Sequence, residues 1–244
     1  MAESKEPTSQ PITLLLVGKT GNGKSSTANT IVEAGTLENS SAPFAVAHSF
    51  NSATTTMEWK ECELDGRRVK VINTPDLASP PLTNDGKIRS PTTSEASKGG
   101  KSSSKKPNRP TLTKNKWVES ETQRWIKEAK GKPTAVLLVI RCDMRYTAEE
   151  YAIFRQLKEE LGGNMEDNLV VVFTMGDFLY RDGVDLSKEL ETVCDELKEV
   201  LREAKERYVV FNNKSPDPED KKTQVKKLLQ VVSEIATAEK AENR

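Results

Sequence analysis

The chain has 244 residues, of which 35% are hydrophobic and 30% charged, and its 37 lysines and arginines balance its 37 aspartates and glutamates. This balance leaves no global field that would favour nucleic acid or an acidic membrane, and no apolar run approaches the roughly 20 residues that span a bilayer. A single histidine and three cysteines without metal-ligand spacing argue against a zinc site and His-based catalysis, and we expect Cys62, Cys142 and Cys194 to be reduced packing thiols.

Residues 1–11 are polar and end in Pro11, and we expect them to form a disordered tail. They lack the apolar core of a signal peptide, and Ala2 stands where N-myristoylation requires glycine. We therefore expect a cytoplasmic protein whose membrane contact, if any, is peripheral.

A glycine-bearing loop lies between the apolar run 12–17 and a segment suited to a helix, 27–32. Residues 18–25 satisfy the spacing G-x-x-x-x-G-K-[ST], in which glycines let backbone N–H groups approach phosphate oxygens. In such a loop, Lys24 would supply charge to the outer phosphates, the Ser25 hydroxyl can ligate Mg²⁺, and the helix N-terminus favours the same anion. The alternative is a glycine-rich turn that matches by accident. The predicted phosphate-binding residues are Gly18, Lys19, Thr20, Gly21, Asn22, Gly23, Lys24, Ser25 and Ser26.

The next stretch predicts a loop and then a hairpin. Residues 33–56 are rich in Ser, Asn, Ala and Thr with little periodicity, which predicts a long, mobile loop. Alternation of apolar and polar residues over 57–64, the turn signal Asp65-Gly66 and the apolar run 69–72 predict two antiparallel strands.

Residues 79–116 hold few apolar side chains and many Ser, Thr, Pro and Lys. Such a segment cannot bury enough surface to offset its chain entropy, so we expect a disordered, solvated, basic insertion. Contact with RNA or anionic lipid, or phosphorylation, is the alternative reading of its charge. Residues 117–130 then predict a helix.

The second half of the chain alternates strands and helices. Three apolar runs typical of buried strands lie at 135–140, 169–173 and 208–211. Three helical patterns lie at 147–161, 186–201 and 225–235, the first with a T-x-x-E capping box at Thr147 and a stop at Gly162. This alternation predicts an α/β fold, a mostly parallel sheet with helices on both faces and the ligand at the carboxyl ends of the strands.

Two loops at predicted strand ends favour guanine over adenine. Asp177 follows the run 169–173, and a carboxylate there accepts hydrogen bonds from the N1 and amino groups of guanine, a donor pair that adenine lacks. Asn213 follows the run 208–211, in a loop whose amides would approach the guanine oxygen. The alternative is an aspartate that merely ends a strand.

Four segments together resemble the immune-associated nucleotide-binding (GIMAP-type) GTPases: 18–26, 174–177, 207–213 and the hydrophobic box 137–147. The resemblance covers about residues 12–235, with the insertion 79–116 inside it. It implies a three-layer P-loop NTPase of the Ras-like type, related to septin-like GTPases, with one antiparallel strand and extra helices. The domain would span 12–238, followed by a C-terminal tail, 239–244.

The resemblance also implies GTP and GDP as ligands, Mg²⁺ as cofactor, slow GTP hydrolysis and nucleotide-dependent dimers or oligomers, often at membranes. It suggests Thr54, or its neighbour Thr55 or Thr56, as the switch threonine that closes over Mg²⁺. Lys24 would stabilise the transferred phosphoryl group, and Arg145 is the arginine that a partner would supply in trans. A solvated arginine before a helix cap is the alternative for Arg145.

The family pattern D-T-P-G-L departs here at two positions. Asn73 keeps the shape of the aspartate but loses the charge that holds a Mg²⁺-bound water, and Asp76 replaces the glycine that approaches the γ-phosphate. A nucleotide-binding scaffold without hydrolysis is therefore the main alternative to a GTPase. An ATPase or nucleotide kinase that uses the same loop is a third hypothesis.

Overall fold

The computed structural model describes residues 11–37, 42–46, 57–75, 134–162 and 165–242. The strands are β1 (Ile12–Val17), β2 (Thr36–Leu37), β3 (Glu58–Leu64), β4 (Arg67–Asn73), β5 (Ala135–Arg141), β6 (Leu169–Thr174) and β7 (Tyr208–Val210). They form one sheet in the order β2-β3-β4-β1-β5-β6-β7. Within this sheet β3 runs in the direction opposite to the other six strands, so the predicted, mostly parallel architecture with one antiparallel strand is confirmed.

Helices cover both faces of the sheet. They are α1 (Lys24–Glu33), α2 (Ala148–Leu161), α3 (Met165–Asn168), α4 (Gly176–Arg181), α5 (Leu186–Thr192), α6 (Asp195–Glu203) and α7 (Pro218–Glu242). One core lies between the sheet and α1 and α7, where Ile31 and Val232 are fully buried. The other lies beneath α2 and α6, where Phe154 and Val200 are buried. Three layers result, because each central strand sends alternate side chains to opposite faces.

The first turn of α2 is closed by the predicted capping box. The backbone N–H of Glu150 donates to Thr147 Oγ1 across 3.3 Å, and the N–H of Thr147 donates to Glu150 Oε2 across 2.9 Å. The helix stops at Gly162, which has φ 72° and donates its N–H to the Lys158 carbonyl. Both ends of this helix are therefore set by local sequence.

The single helix expected over 186–201 is wrong, because the chain forms two helices there. Val193 and Cys194 have extended backbones, with ψ of 165° and 157°. No residue of α5 is buried, whereas Leu197 and Leu201 of α6 enter the core. The break falls at a β-branched valine with low helix propensity, and it allows α6 to pack at its own angle.

The long mobile loop expected over 33–56 is wrong in part. Thr36 and Leu37 pair with β3 at the sheet edge. Farther on, Phe44 is 1% exposed. Its N–H donates to Asn29 Oδ1 of α1 across 2.7 Å, and its carbonyl accepts from Asn29 Nδ2 across 3.0 Å. No apolar periodicity in the sequence around Phe44 predicts its burial, which depends on contacts made in the folded protein.

Several predictions concern residues that the structure does not describe. The switch threonine (Thr54, or its neighbours at 55 and 56), Asp76, the insertion 79–116 and the helix 117–130 all lie outside the described residues, as do 1–10. Helix α7 continues to Glu242 and so includes residues that the sequence analysis places in a tail. All three cysteines are free; Cys62 is buried and Cys142 half-buried, but Cys194 is exposed, contrary to the packing role expected for it.

Candidate nucleotide-binding site

The loop between β1 and α1 has the backbone of a phosphate cradle. Gly18, Gly21 and Gly23 have φ of 138°, 86° and 93°, in the region that residues with a side chain rarely adopt. A Cβ on Gly18 would lie 2.5 Å from the Val139 carbonyl oxygen, so this position also requires glycine for close packing on β5. The loop therefore has a fixed, narrow path between the sheet and α1.

The Lys24 ammonium lies inside this loop. Its Nζ donates to the carbonyl oxygens of Gly18, across 2.7 Å, and Lys19, across 3.1 Å, and the residue is 7% exposed. A buried ammonium held by backbone carbonyls of the loop is placed to neutralise an anion bound in that loop. The structure thus brings Lys24 to the centre of the predicted phosphate site.

Asn22 ties the loop to three other elements. Its Nδ2 donates to the Val139 carbonyl of β5, across 2.9 Å, and to Glu150 Oε1 of α2, across 2.7 Å. Its carbonyl accepts the Thr174 hydroxyl of β6 across 2.7 Å. From the sequence, Asn22 is predicted only as a phosphate-loop residue. Its bonds to three other elements leave no local signal, because all three partners are more than 100 residues away.

An ion pair adds a second link between the loop and α2. Lys19 Nζ lies 2.7 Å from Glu149 Oε2, and both side chains are partly exposed. Exposed pairs of this kind contribute about 0–1 kcal/mol to stability. We therefore regard the buried Asn22–Glu150 bond as the main connection.

Ser25 and Asn73 meet where the resemblance implies a metal. Asn73 is fully buried, and its Nδ2 donates to Ser25 Oγ across 3.0 Å. Its Oδ1 is also buried and has no hydrogen-bond partner among the described residues. A buried acceptor of this kind fits a donor supplied by a ligand, such as a metal-bound water. The hydroxyl of Ser25 beside this acceptor fits Mg²⁺, although Asn73 lacks the charge of an aspartate.

Asp177 lies in the first turn of α4, at the carboxyl end of β6. The preceding turn is tight: Met175 has φ 62°, and a Cβ on Gly176 would lie 2.8 Å from Val210 Cγ1. Asp177 Oδ1 is buried and, within the described part of the chain, unpartnered. A buried carboxylate oxygen without a donor is costly, so this position fits a ligand that supplies a hydrogen-bond donor.

Asn213 faces α1 in this structure. Its Nδ2 donates to Thr27 Oγ1 across 2.9 Å, and its Oδ1 accepts from the Thr30 hydroxyl across 2.9 Å. These bonds fix the loop after β7 against the helix that begins at the phosphate loop. The role of Asn213 in contacting guanine stays a prediction.

The segment between β5 and α2 carries Arg145. This arginine is exposed, whereas Arg141 forms a two-pronged ion pair with Asp143, with distances of 2.9 and 2.7 Å. The Arg141 guanidinium holds the pKa of the Asp143 carboxyl below its usual value. Burial raises the pKa of the Cys142 thiol to about 11, so this cysteine is a neutral packing group rather than a nucleophile.

The described part of the chain offers neither a multi-residue metal cluster nor a membrane-spanning helix. No group of three or more His, Cys, Asp or Glu side chains in the described ranges is arranged to hold a metal ion. A Mg²⁺ site built on a serine hydroxyl and nucleotide phosphates does not require such a group. Among the described helices, none is both long and apolar enough to cross a bilayer.

Comparison with known proteins agrees with this arrangement. The model of the AIG1 family matches residues 12–98 and 110–243. Immune-associated nucleotide-binding protein 13 of Arabidopsis thaliana is 32% identical over 231 residues, covering 92% of this chain and 55% of that protein. Immune-associated nucleotide-binding protein 5 of the same plant is 31% identical over 243 residues, covering 96% and 65%. The chain thus spans just over half to two thirds of the length of these relatives.

Solved structures agree on the fold. Toc33 from Arabidopsis thaliana, in a dimerisation-deficient mutant, superposes with a TM-score of 0.58 at 16% identity, covering 93% of this chain and 85% of that one. Toc33 in complex with GDP and Mg²⁺ gives a TM-score of 0.57 at 17% identity, covering 94% and 86%. The family model, the relatives and the P-loop GTPase fold agree, and the chain belongs to the AIG1 family, the family of the immune-associated nucleotide-binding proteins.

Proposed function

We propose that this protein binds GDP and GTP with Mg²⁺ and works as a nucleotide-dependent dimerising switch with slow GTP hydrolysis. The observation that carries the proposal is the unpartnered, buried Oδ1 of Asp177 at the sheet edge that also holds the phosphate loop. Thr174 joins the two, since it lies three residues before Asp177 and donates its hydroxyl to the Asn22 carbonyl. One ligand with a guanine base and phosphates would satisfy both parts.

Each part of the site has a distinct task in this proposal. Backbone N–H groups of the loop and the Lys24 ammonium bind the phosphates, and Asp177 selects the base. Ser25 would hold Mg²⁺, with a water that donates to Asn73 Oδ1, and the ion would neutralise charge on the outer phosphates. The chain's own contribution to hydrolysis is then positioning and charge stabilisation by Lys24.

Dimerisation supplies the charge that this site lacks. Arg145 is exposed, on the segment that leads from β5 to the cap of α2. Toc33 is the subject of one structure described as a dimerisation-deficient arginine-to-alanine mutant. Another is described as showing that dimerisation is important for the GTPase activity of chloroplast translocon components. We propose that Arg145 acts in trans in a cytoplasmic homodimer.

A scaffold that binds nucleotide without hydrolysis is a second candidate, and Asn73 favours it. The neutral amide already donates to Ser25 Oγ, and it lacks the negative charge that strengthens metal binding from the outer shell. Single-turnover hydrolysis of Mg²⁺·GTP at low to high micromolar protein distinguishes the two candidates. A rate constant that rises with concentration supports the dimeric GTPase, and bound but uncleaved GTP supports the scaffold.

The proposal of guanine-nucleotide binding is tested by calorimetric titration with GDP, a GTP analogue, ADP and ATP. We expect binding of the guanine nucleotides to exceed that of the adenine nucleotides by at least about tenfold. Lys24→Ala is expected to abolish binding, and Lys226→Ala, an exposed lysine of α7, is the matched control. Equal affinity for ATP and GTP would support the ATPase and contradict the role of Asp177.

A further inference from the structure

Glu150 connects two segments of the chain through its two carboxylate oxygens. Oε2 accepts from the N–H of Thr147, across 2.9 Å, and from its hydroxyl, across 2.8 Å. Oε1 accepts from Asn22 Nδ2 across 2.7 Å. One oxygen thus serves the cap of α2 and the other serves the phosphate loop.

The bond to the loop is not required by the cap. A capping box needs only one glutamate oxygen, and Oε2 already provides it. Glu150 is 8% exposed and Asn22 is 4% exposed, so their bond is shielded from competing water. Glu150 lies in the first turn of α2, where the helix dipole favours its negative charge. The chain therefore keeps a buried carboxylate whose second oxygen is directed at the phosphate loop.

The segment that precedes Glu150 is fixed at both ends. At its start, the Cys142 N–H donates to the Thr174 carbonyl of β6 across 3.1 Å. At its end, Thr147 is held by Glu150, which is in turn held by Asn22. Arg145 lies between these anchors and is exposed. A shift of Asn22 within the loop would therefore be transmitted to Arg145. The path consists of the Asn22–Glu150 and Glu150–Thr147 hydrogen bonds and the short backbone stretch between Arg145 and Thr147.

We infer that Glu150 is a positioning residue that couples the phosphate loop to the arginine-bearing segment 141–147. Nucleotide bound in the loop fixes Asn22, Asn22 fixes Glu150, and Glu150 orders the segment that presents Arg145 to a partner. The inference rests on the proposed function, because it assigns the means by which that site communicates with the dimer surface.

Amide hydrogen exchange tests the coupling in the full chain, with and without saturating Mg²⁺·GDP. In the wild type we expect GDP to slow exchange in 141–147 by about tenfold, the factor set by one hydrogen bond to a charged group. In Glu150→Gln, saturated with GDP, we expect the phosphate loop to remain protected and 141–147 to exchange as in the nucleotide-free protein. Glu159→Gln, an exposed glutamate on the same helix, is the control and should behave as wild type.

A second measurement keeps the test independent of local changes in the cap of α2. We expect Asn22→Ala and Glu150→Gln each to weaken GDP binding by about tenfold, and the double variant to bind no more weakly than either single one. Additive losses would contradict coupling through this bond, as would protection of 141–147 that persists in Glu150→Gln. A wild type that binds no guanine nucleotide would instead overturn the proposed function itself.

Discussion

The side-chain amide of Asn73 donates a hydrogen bond to the Ser25 hydroxyl across 3.0 Å, while its own oxygen is buried. Asn73 ends β4 and Ser25 lies in the first turn of α1, so this bond joins the strand that precedes the altered family motif to the phosphate loop. The pair places a neutral amide where the resemblance to the family implies a carboxylate.

Asn73→Asp tests the effect of that missing charge. We expect the affinity for a Mg²⁺-bound GTP analogue to rise by about tenfold, because a carboxylate holds metal-bound water more strongly than an amide does. Without metal, the thermal midpoint should fall, because a fully buried carboxylate would lack a cation. Calorimetry over a Mg²⁺ series and thermal unfolding measure the two effects. If the additional change Asp76→Gly also leaves hydrolysis unaltered, the scaffold hypothesis loses its motivation.

Asp177→Asn should change the base preference of the protein from guanine to xanthine. Xanthine carries a carbonyl where guanine carries its amino group, so an asparagine amide can donate to it while a carboxylate repels it. We expect GDP to bind at least about tenfold more weakly and xanthosine diphosphate correspondingly more tightly. Competition titrations with both nucleotides measure this ratio. Asp182→Asn, at an exposed aspartate directly after α4, is the control. An unchanged ratio in Asp177→Asn would exclude base recognition by Asp177.

Arg145→Ala should remove the concentration-dependent part of GTP hydrolysis and leave the rate at low concentration unchanged. An arginine supplied in trans accelerates related reactions by about 10³–10⁵. Arg145→Lys should not restore the rate, because the guanidinium fork is lost. Single-turnover assays against protein concentration provide the measurement. The exposed Arg155 of α2 offers a matched control, and equal losses in Arg155→Ala would point to a general charge effect.

Phe44→Ala should destabilise the whole domain, since Phe44 is buried in the core beside α1. Removal of a buried phenylalanine lowers the free energy of unfolding by about 3–5 kcal/mol. Urea unfolding followed by circular dichroism measures it, with the neighbouring exposed Pro43→Ala as control. A loss no larger than in the control would mean that the 42–46 segment separates from the core without cost.

The Arg141–Asp143 pair should make stability depend on acid pH. The pKa of Asp143 is lowered from 3.8 by its hydrogen bonds to Arg141. Its contribution is therefore complete above about pH 3.8 and disappears as the pH falls through the lower folded value. Asp143→Asn should narrow the difference in thermal midpoint between pH 6 and pH 3, values chosen as about two units above and one below the ordinary pKa. An identical pH profile in the variant would show that the pair does not stabilise the fold.

The sequence predicted the parts of the site that are formed by residues adjacent in the chain. The phosphate loop, the cap at Thr147 and the stop at Gly162 each depend on a few neighbouring residues, and each is present in the structure. The predicted strands are present with small changes in their bounds, because long apolar runs are typical of strands buried in the core. The helix expected over 186–201 failed because apolar spacing continues across Val193 and Cys194, although the backbone does not.

Contacts between residues that are distant in the chain were decided only by the tertiary structure. The Asn22–Glu150 bond joins positions 128 residues apart, and the bonds from Asn213 to α1 cross 183 and 186 residues. Local patterns contain no signal for such pairs, because a polar side chain finds its partner only after the sheet has brought the strand ends together. The sequence alone therefore determined that a nucleotide loop exists and where it lies, while the fold decided that this loop is bonded to the segment that carries Arg145.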